Sequence, residues 1–176
     1  MPIKKSRHVS HAAWASIRLF AMDVDGVLTD GTVFISSDKK EFKGFSILDG
    51  MGIKRLHRAG ISVAWISGRT SAATTARAHE LHIQHLVQDR PDKLTVLQEI
   101  AAELTLAAGQ VVYMGDDEID IPAMLWAGVS VSVPEAIPSA IEAANYVTKR
   151  KGGHGAVREV CEHILSARGV KSQAVI

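Results

Sequence analysis

The chain has 176 residues, enough for one domain with a sizeable core, and its 47% of apolar residues argue against disorder. The 20 basic side chains against 19 acidic ones leave a net charge of +1, too balanced for a nucleic-acid footprint. Cys161 is the single cysteine, which excludes an intrachain disulfide and a cysteine zinc cluster.

Residues 1–15 read as a flexible arm, with Lys4-Lys5-Ser6-Arg7 as a solvated basic run. The apolar stretch from Trp14 to Met22 is broken by Ser16 and Arg18. It is too short to span a bilayer and does not resemble a signal peptide, so a soluble cytoplasmic protein without a membrane partner is expected. Residues 17–23 predict a buried strand. Residues 32–35 and 41–45 flank the polar run Ser36-Ser37-Asp38-Lys39-Lys40 and predict a hairpin. A helix is expected from Asp49 to Ala59, stopped by Gly60.

Strand and helix then alternate. Residues 61–66 predict a strand, and Ser71 caps a helix running to about Leu81. A short strand follows over 83–87. Residues 93–106 predict a helix with Leu94, Leu97, Ala101 and Leu104 on one face. Strands over 111–114, 129–133 and 146–147 enclose helices over 119–127 and 138–144. A last helix over 156–167 carries Val157, Val160, Cys161, Ile164 and Leu165 on one side. The folded unit is expected over 16–168, with residues 169–176 a mobile tail. This order predicts an α/β fold: one Rossmann-like, three-layer domain with a central parallel sheet and helices on both faces.

In such sheets ligands bind beyond the carboxyl ends of the strands. Three polar clusters fall there: Asp23 and Asp25, then Ser67-Gly68-Arg69, then Gly115-Asp116-Asp117. A carboxylate can attack phosphorus in a phosphate ester, provided a cation reduces the repulsion between anions. Magnesium suits that task because it prefers oxygen ligands. Asp23 is the candidate nucleophile. Asp25, two residues on and on the same side of extended backbone, is the candidate general acid and base. Asp116 is a candidate metal ligand, and Ser67 and Lys93 are candidates for holding phosphoryl oxygens.

Each piece alone has a plainer reading. Asp-x-Asp and Gly-Asp-Asp occur in ordinary loops, and Lys93 could start a solvated helix. Asp117 and Asp120 suit either a helix N-terminus or a supporting role behind the metal ligand. Gly152-Gly153-His154-Gly155 suits either a flexible turn or a backbone cradle for phosphate. His79, His82 and His85 read as surface and core histidines, because no acid or cysteine completes a metal set. The joint order at strand ends is what the plain readings leave unexplained.

Asp23-Val24-Asp25-Gly26-Val27-Leu28-Thr29-Asp30 resembles the first motif of the haloacid dehalogenase superfamily. Ser67, Lys93 and Gly115-Asp116-Asp117-Glu118-Ile119-Asp120 fill its other three. Phe45-Ser46-Ile47-Leu48-Asp49-Gly50-Met51-Gly52-Ile53 and Gly152-Gly153-His154-Gly155-Ala156-Val157-Arg158-Glu159-Val160-Cys161 resemble the 3-deoxy-D-manno-octulosonate 8-phosphate phosphatases. The similarity spans about residues 17–167.

The resemblance implies a magnesium-dependent phosphatase acting on an eight-carbon acidic sugar phosphate, on the route to the lipopolysaccharide inner core. It implies a capless member with a small β-hairpin after the first strand, assembled as a homotetramer around its hairpins. A neighbouring subunit would help close each site. It places the metal on Asp23, Asp116 and the carbonyl oxygen of Asp25. It places the sugar against Ser46, Ile47, Leu48, Asp49 and Gly50, with Lys54, Arg69 and Arg77 facing the anionic substrate. Leu48 stands where some members carry arginine. The competing readings are a nine-carbon acid sugar phosphate as substrate, a receiver-like phospho-acceptor domain, and a non-catalytic scaffold. The receiver reading suffers because Asp23 and Asp25 end the first strand rather than a middle one.

Overall fold

A computed structural model of the chain describes residues 8–171. Six strands make one parallel sheet: β1 (Leu19–Met22), β4 (Ser62–Ile66), β5 (His85–Val87), β6 (Val111–Met114), β7 (Val129–Ser132) and β8 (Tyr146–Val147). Their order is β5-β4-β1-β6-β7-β8, and β2 (Phe34–Ile35) and β3 (Glu41–Phe42) form the separate antiparallel hairpin. The chain leaves β1 toward β4 and returns on the other side at β6. That reversal makes a crevice beyond the carboxyl ends of β1 and β6. Met22 is level with Trp65 on β4 and Met114 on β6, so the residues after all three strands leave the sheet at one edge.

Helices cover both faces, so β1 is buried along its whole length, as a strand between two helical layers must be. Phe20 and Met22 point into one core and Leu19 and Ala21 into the other. The first core takes α1 (His11–Ser16), α2 (Ile47–Arg58), α3 (Ala72–Glu80) and α7 (Ala156–Ala167). The second takes α4 (Lys93–Glu103) and α5 (Ile121–Trp126), with the end of α6 (Pro138–Ala143) packed on it. Along the α2–α7 seam, Gly52 lets the helices close. A Cβ there would fall 3.1 Å from the sulfur of Cys161, which is fully buried.

Three details differ from the sequence reading. Residues 11–16 are helical within the expected arm, because the Ser10 hydroxyl accepts from the Ala13 amide and Trp14 is buried against α7. The rest of that arm, residues 1–7 with the basic run, lies outside the described residues, as does the tail from 172. Helix α2 begins two residues early, since the Ser46 hydroxyl accepts from the amides of Leu48 and Asp49. The buried face of α4 is Lys93, Val96, Leu97, Ile100 and Ala101, with Leu94 and Leu104 only half-buried. Lys93 turns inward at the first helical position and sets that rotation.

Candidate active site

Asp23 follows β1 directly, and its amide donates to the Met114 carbonyl at 2.9 Å, continuing the ladder one step beyond the strand. Its carboxylate is 7% exposed as a residue and sits 2.9 Å from Lys93 Nζ. Lys93 also reaches Asp120 at 2.7 Å, and its side chain is fully enclosed. An isolated ammonium there would be driven to neutrality. Burial pulls the Lys93 pKa down, but Asp23 and Asp120 outweigh it and the net shift is upward.

Asp120 has all its acceptors in use. Oδ1 takes Lys93 and the Tyr113 hydroxyl at 2.7 and 2.8 Å, and Oδ2 takes the amides of Asp116 and Asp117 at 3.1 Å each. Asp120 therefore shapes the Gly115–Asp117 turn and anchors Lys93. Gly115 permits this, because a Cβ there would fall 2.3 Å from the Asp120 Cβ. Asp117 caps the short helical turn that follows, accepting from the Glu118 amide at 2.6 Å.

Asp23, Asp116 and Asp120 each bring one oxygen within 4.8 Å of the others. With Asp120 saturated, Asp23 and Asp116 remain for a cation. Asp116 Oδ1 is buried without a hydrogen-bond partner, a position that an oxygen-preferring divalent ion would satisfy. Burial and then the neighbouring Asp120 charge push the Asp23 pKa from 3.8 to about 7, even beside Lys93. Burial, then Asp23 and Asp120, push Asp116 to about 8. The residues present fit a divalent cation, because the site carries more negative charge than Lys93 alone can offset. No histidine joins this cluster; His79 and His82 are exposed and His85 is half-buried.

Asp25 is less enclosed and pairs with Lys43 Nζ at 2.7 Å. Lys43 stands one residue beyond β3, and its side chain is 1% exposed. Glu41, on the same side of the strand, accepts from the Ser71 hydroxyl at 2.5 Å and from Arg69 at 3.1 Å. The hairpin is thus tied to Asp25 and to the start of α3. Sequence reasoning missed Lys43. The one available signal was the alternation Glu41-Phe42-Lys43, which puts both charges on one face.

Ser67 follows β4 directly and is buried, with its hydroxyl donating to the Arg69 carbonyl and accepting from the Arg69 amide, both at 3.1 Å. Arg69 is exposed at the same rim. The segment Ser46–Gly50 is divided. Ile47 and Leu48 are 80% and 50% exposed, while Asp49 is 1% exposed and faces inward. Its carboxylate accepts from the amides of Gly155 and Arg158 at 3.3 and 2.7 Å, so within this chain it caps α7. Gly50 is likewise buried, against Arg77. Arg77 donates to the Ser46 carbonyl and pairs with Glu80. Lys54 is exposed on α2.

The glycine turn after β8 is docked rather than loose. Gly153 donates to the Val27 carbonyl at 3.0 Å, and a Cβ at Gly152 would fall 1.9 Å from the Gly26 carbonyl oxygen. The turn closes over the loop that carries both aspartates.

Residues 73–160 match the haloacid dehalogenase-like hydrolase family. The 3-deoxy-D-manno-octulosonate 8-phosphate phosphatase of Yersinia pestis is 46% identical over 154 residues, covering 88% of this chain and 82% of that protein. A crystal structure of the Yersinia pestis phosphatase superposes with a TM-score of 0.89 at 44% identity, over 91% of this chain and 86% of that one. The Moraxella catarrhalis phosphatase, solved with magnesium, phosphate and Kdo, gives 0.88 at 42% identity over 90% and 91%.

Proposed function

This chain belongs to the haloacid dehalogenase-like hydrolases, in the branch of the 3-deoxy-D-manno-octulosonate 8-phosphate phosphatases, and from that premise we propose that it hydrolyses 3-deoxy-D-manno-octulosonate 8-phosphate to Kdo and inorganic phosphate. The observation that carries this reading is the Asp23 carboxylate, fixed by Lys93 and flanked by the unpartnered oxygen of Asp116 at the sheet's crevice.

In the first half-reaction an Asp23 oxygen attacks phosphorus, and the bond from phosphorus to the sugar oxygen breaks. Asp25 gives its proton to that leaving oxygen, so an aspartyl phosphate and free sugar result. In the second, the Asp25 carboxylate takes a proton from water as the water oxygen attacks phosphorus. The acyl phosphate bond breaks, which releases inorganic phosphate and restores the Asp23 carboxylate. Lys93 and Ser67 hold phosphoryl oxygens during both steps. Magnesium, held by Asp23, Asp116 and the Asp25 carbonyl, supplies charge compensation between the two anions.

Arg69, exposed at the rim, suits the sugar carboxylate, and Lys54 and Arg77 extend that positive field. The neighbouring subunit closes the site in this reading. Phe34, Ile35 and Phe42 of the hairpin are 64%, 71% and 57% exposed, and Ile47, Leu48 and Met51 of α2 are exposed as well. So much uncovered apolar surface on a small hairpin and a helix start suits a subunit contact. We assign it to a homotetramer with the hairpins at its centre. No helix among the described residues is long and apolar enough to cross a membrane. Cytoplasmic residence and a place in lipopolysaccharide inner-core synthesis belong to the same reading.

The test is phosphate release from Kdo 8-phosphate beside sialic acid and KDN 9-phosphates. Leu48, where the resemblance puts arginine in some members, is the reason to include the nine-carbon esters. Preference for a nine-carbon ester would replace the substrate and keep the chemistry. Asp23→Asn is expected to abolish hydrolysis with the circular dichroism melt preserved. Normal turnover by that variant would remove Asp23 as nucleophile.

A further inference from the structure

Glu159, in the first turn of α7, lies outside the Asp23, Lys93 and Asp116 cluster, and neither half-reaction uses it. Its carboxylate nevertheless gathers three donors. Oε1 accepts from the Tyr146 hydroxyl at 2.5 Å and the Lys149 amide at 3.0 Å. Oε2 accepts from the Lys149 and Arg150 amides at 3.2 and 3.1 Å. Tyr146 is held in turn by His163 Nε2 at 3.0 Å and by a T-shaped contact with Trp14.

Those two amides open the segment that leads into Gly152 and Gly153. Gly152 lies against the Gly26 carbonyl and Gly153 donates to Val27. Gly26 in turn lies against Asp116, since a Cβ at Gly26 would fall 2.0 Å from Asp116 Oδ2. A continuous stack therefore runs from Glu159 through two side-chain-free positions to the carboxylate left for a metal. Close-packed interiors transmit such displacements.

We propose that Glu159 is a positioning residue for the phosphatase, acting through the Gly152–Gly26 contact to hold Asp116 and the Asp23–Asp25 loop in metal-binding geometry. The inference rests on the magnesium-dependent reading above. A carboxylate is needed because it only accepts; a glutamine amide group would turn a donor toward one of the two backbone amides. Groups bonded directly to metal ligands are worth about 10–100-fold in metal affinity or activity, and Glu159, acting through further contacts, is expected at the low end, about tenfold.

The test compares full-length wild type, E159A, E159Q and E162Q. Glu162 sits one turn along the same helix and binds Arg55 and Arg158 instead of the 149–155 segment. Calorimetry on the metal-free protein is expected to show magnesium bound about tenfold more weakly by E159A, with E159Q between it and wild type. On p-nitrophenyl phosphate at saturating magnesium, kcat falls and KM holds. Hydrogen exchange across residues 26–30 quickens in metal-free E159A. E162Q keeps wild-type magnesium affinity and kcat. Wild-type binding and turnover in E159A overturn the proposal, as do equal losses in E162Q, which would mark general loosening of α7. If E159A does not fold, E159Q decides on the same readouts. A wild type that binds no magnesium overturns the metal reading itself, and this inference with it.

Discussion

Lys43 Nζ lies 2.7 Å from Asp25 Oδ1, so the small hairpin reaches the carboxylate proposed as the acid and base. Lys43→Met keeps the stem and removes the ammonium. Complete loss of general acid–base catalysis lowers rate by about 10²–10⁴-fold. On the proposed mechanism Lys43 holds the proton carrier without carrying the proton, so kcat is expected to fall by less than that, roughly tenfold, with magnesium affinity unchanged. Unaltered turnover would leave the ion pair without a role in the reaction.

The pH response of the metal-free protein has a definite sign. Asp23 and Asp116 have folded pKa values raised to about 7 and about 8. Their contribution to stability is therefore full below the unfolded value near 4 and is lost as pH rises through 7 to 8. Scanning calorimetry should show the metal-free Tm lowered by these groups between about pH 4 and about pH 8. Added magnesium should raise Tm more at the alkaline end, because its ligands must be deprotonated. Equal increments at both ends would count against these two carboxylates as ligands.

Lys93→Met leaves Asp23 and Asp120 buried beside each other without a cation. Breaking such a pair typically destabilises by about 3–5 kcal/mol. Urea titration should report a loss in that range along with loss of activity. A variant as stable as wild type would mean that the Lys93 contacts do not form in solution.

The subunit contact can be probed without unfolding the hairpin. Phe34 and Phe42 face each other across β2 and β3. Replacing them together as F34E/F42K keeps an attractive cross-strand pair and removes the apolar surface. Sedimentation should then find a smaller species, with kcat/KM for the sugar phosphate reduced. A wild type already monomeric and fully active at assay concentration would refute the tetramer.

The placement of Asp23, Ser67 and Asp116 on one rim was readable from strand order, because parallel topology brings carboxyl ends together whatever the loops do. Lys93 was readable as a motif residue, but the direction in which it turned α4 was not; a charged residue rarely faces inward unless partners 27 and 70 residues away receive it. Asp49 shows the same difficulty. The family resemblance placed it beside the sugar, and no local pattern shows that its carboxylate also caps a helix more than a hundred residues further on. The Gly152–Gly153 turn offered two readings, and neither was a clasp on Gly26, which depends on close approach between backbones that no local pattern records. Helix α1 had a visible cap in Ser10, yet only the pocket at α7 that receives Trp14 makes so short a helix worthwhile.

Cys161 gives the molecule a built-in gauge of its own opening. As the lone thiol, enclosed in the α2–α7 seam with its pKa pushed well up by burial, it resists alkylating reagents while the two helices stay closed. The pace at which such a reagent tags the native enzyme therefore measures how often that seam parts.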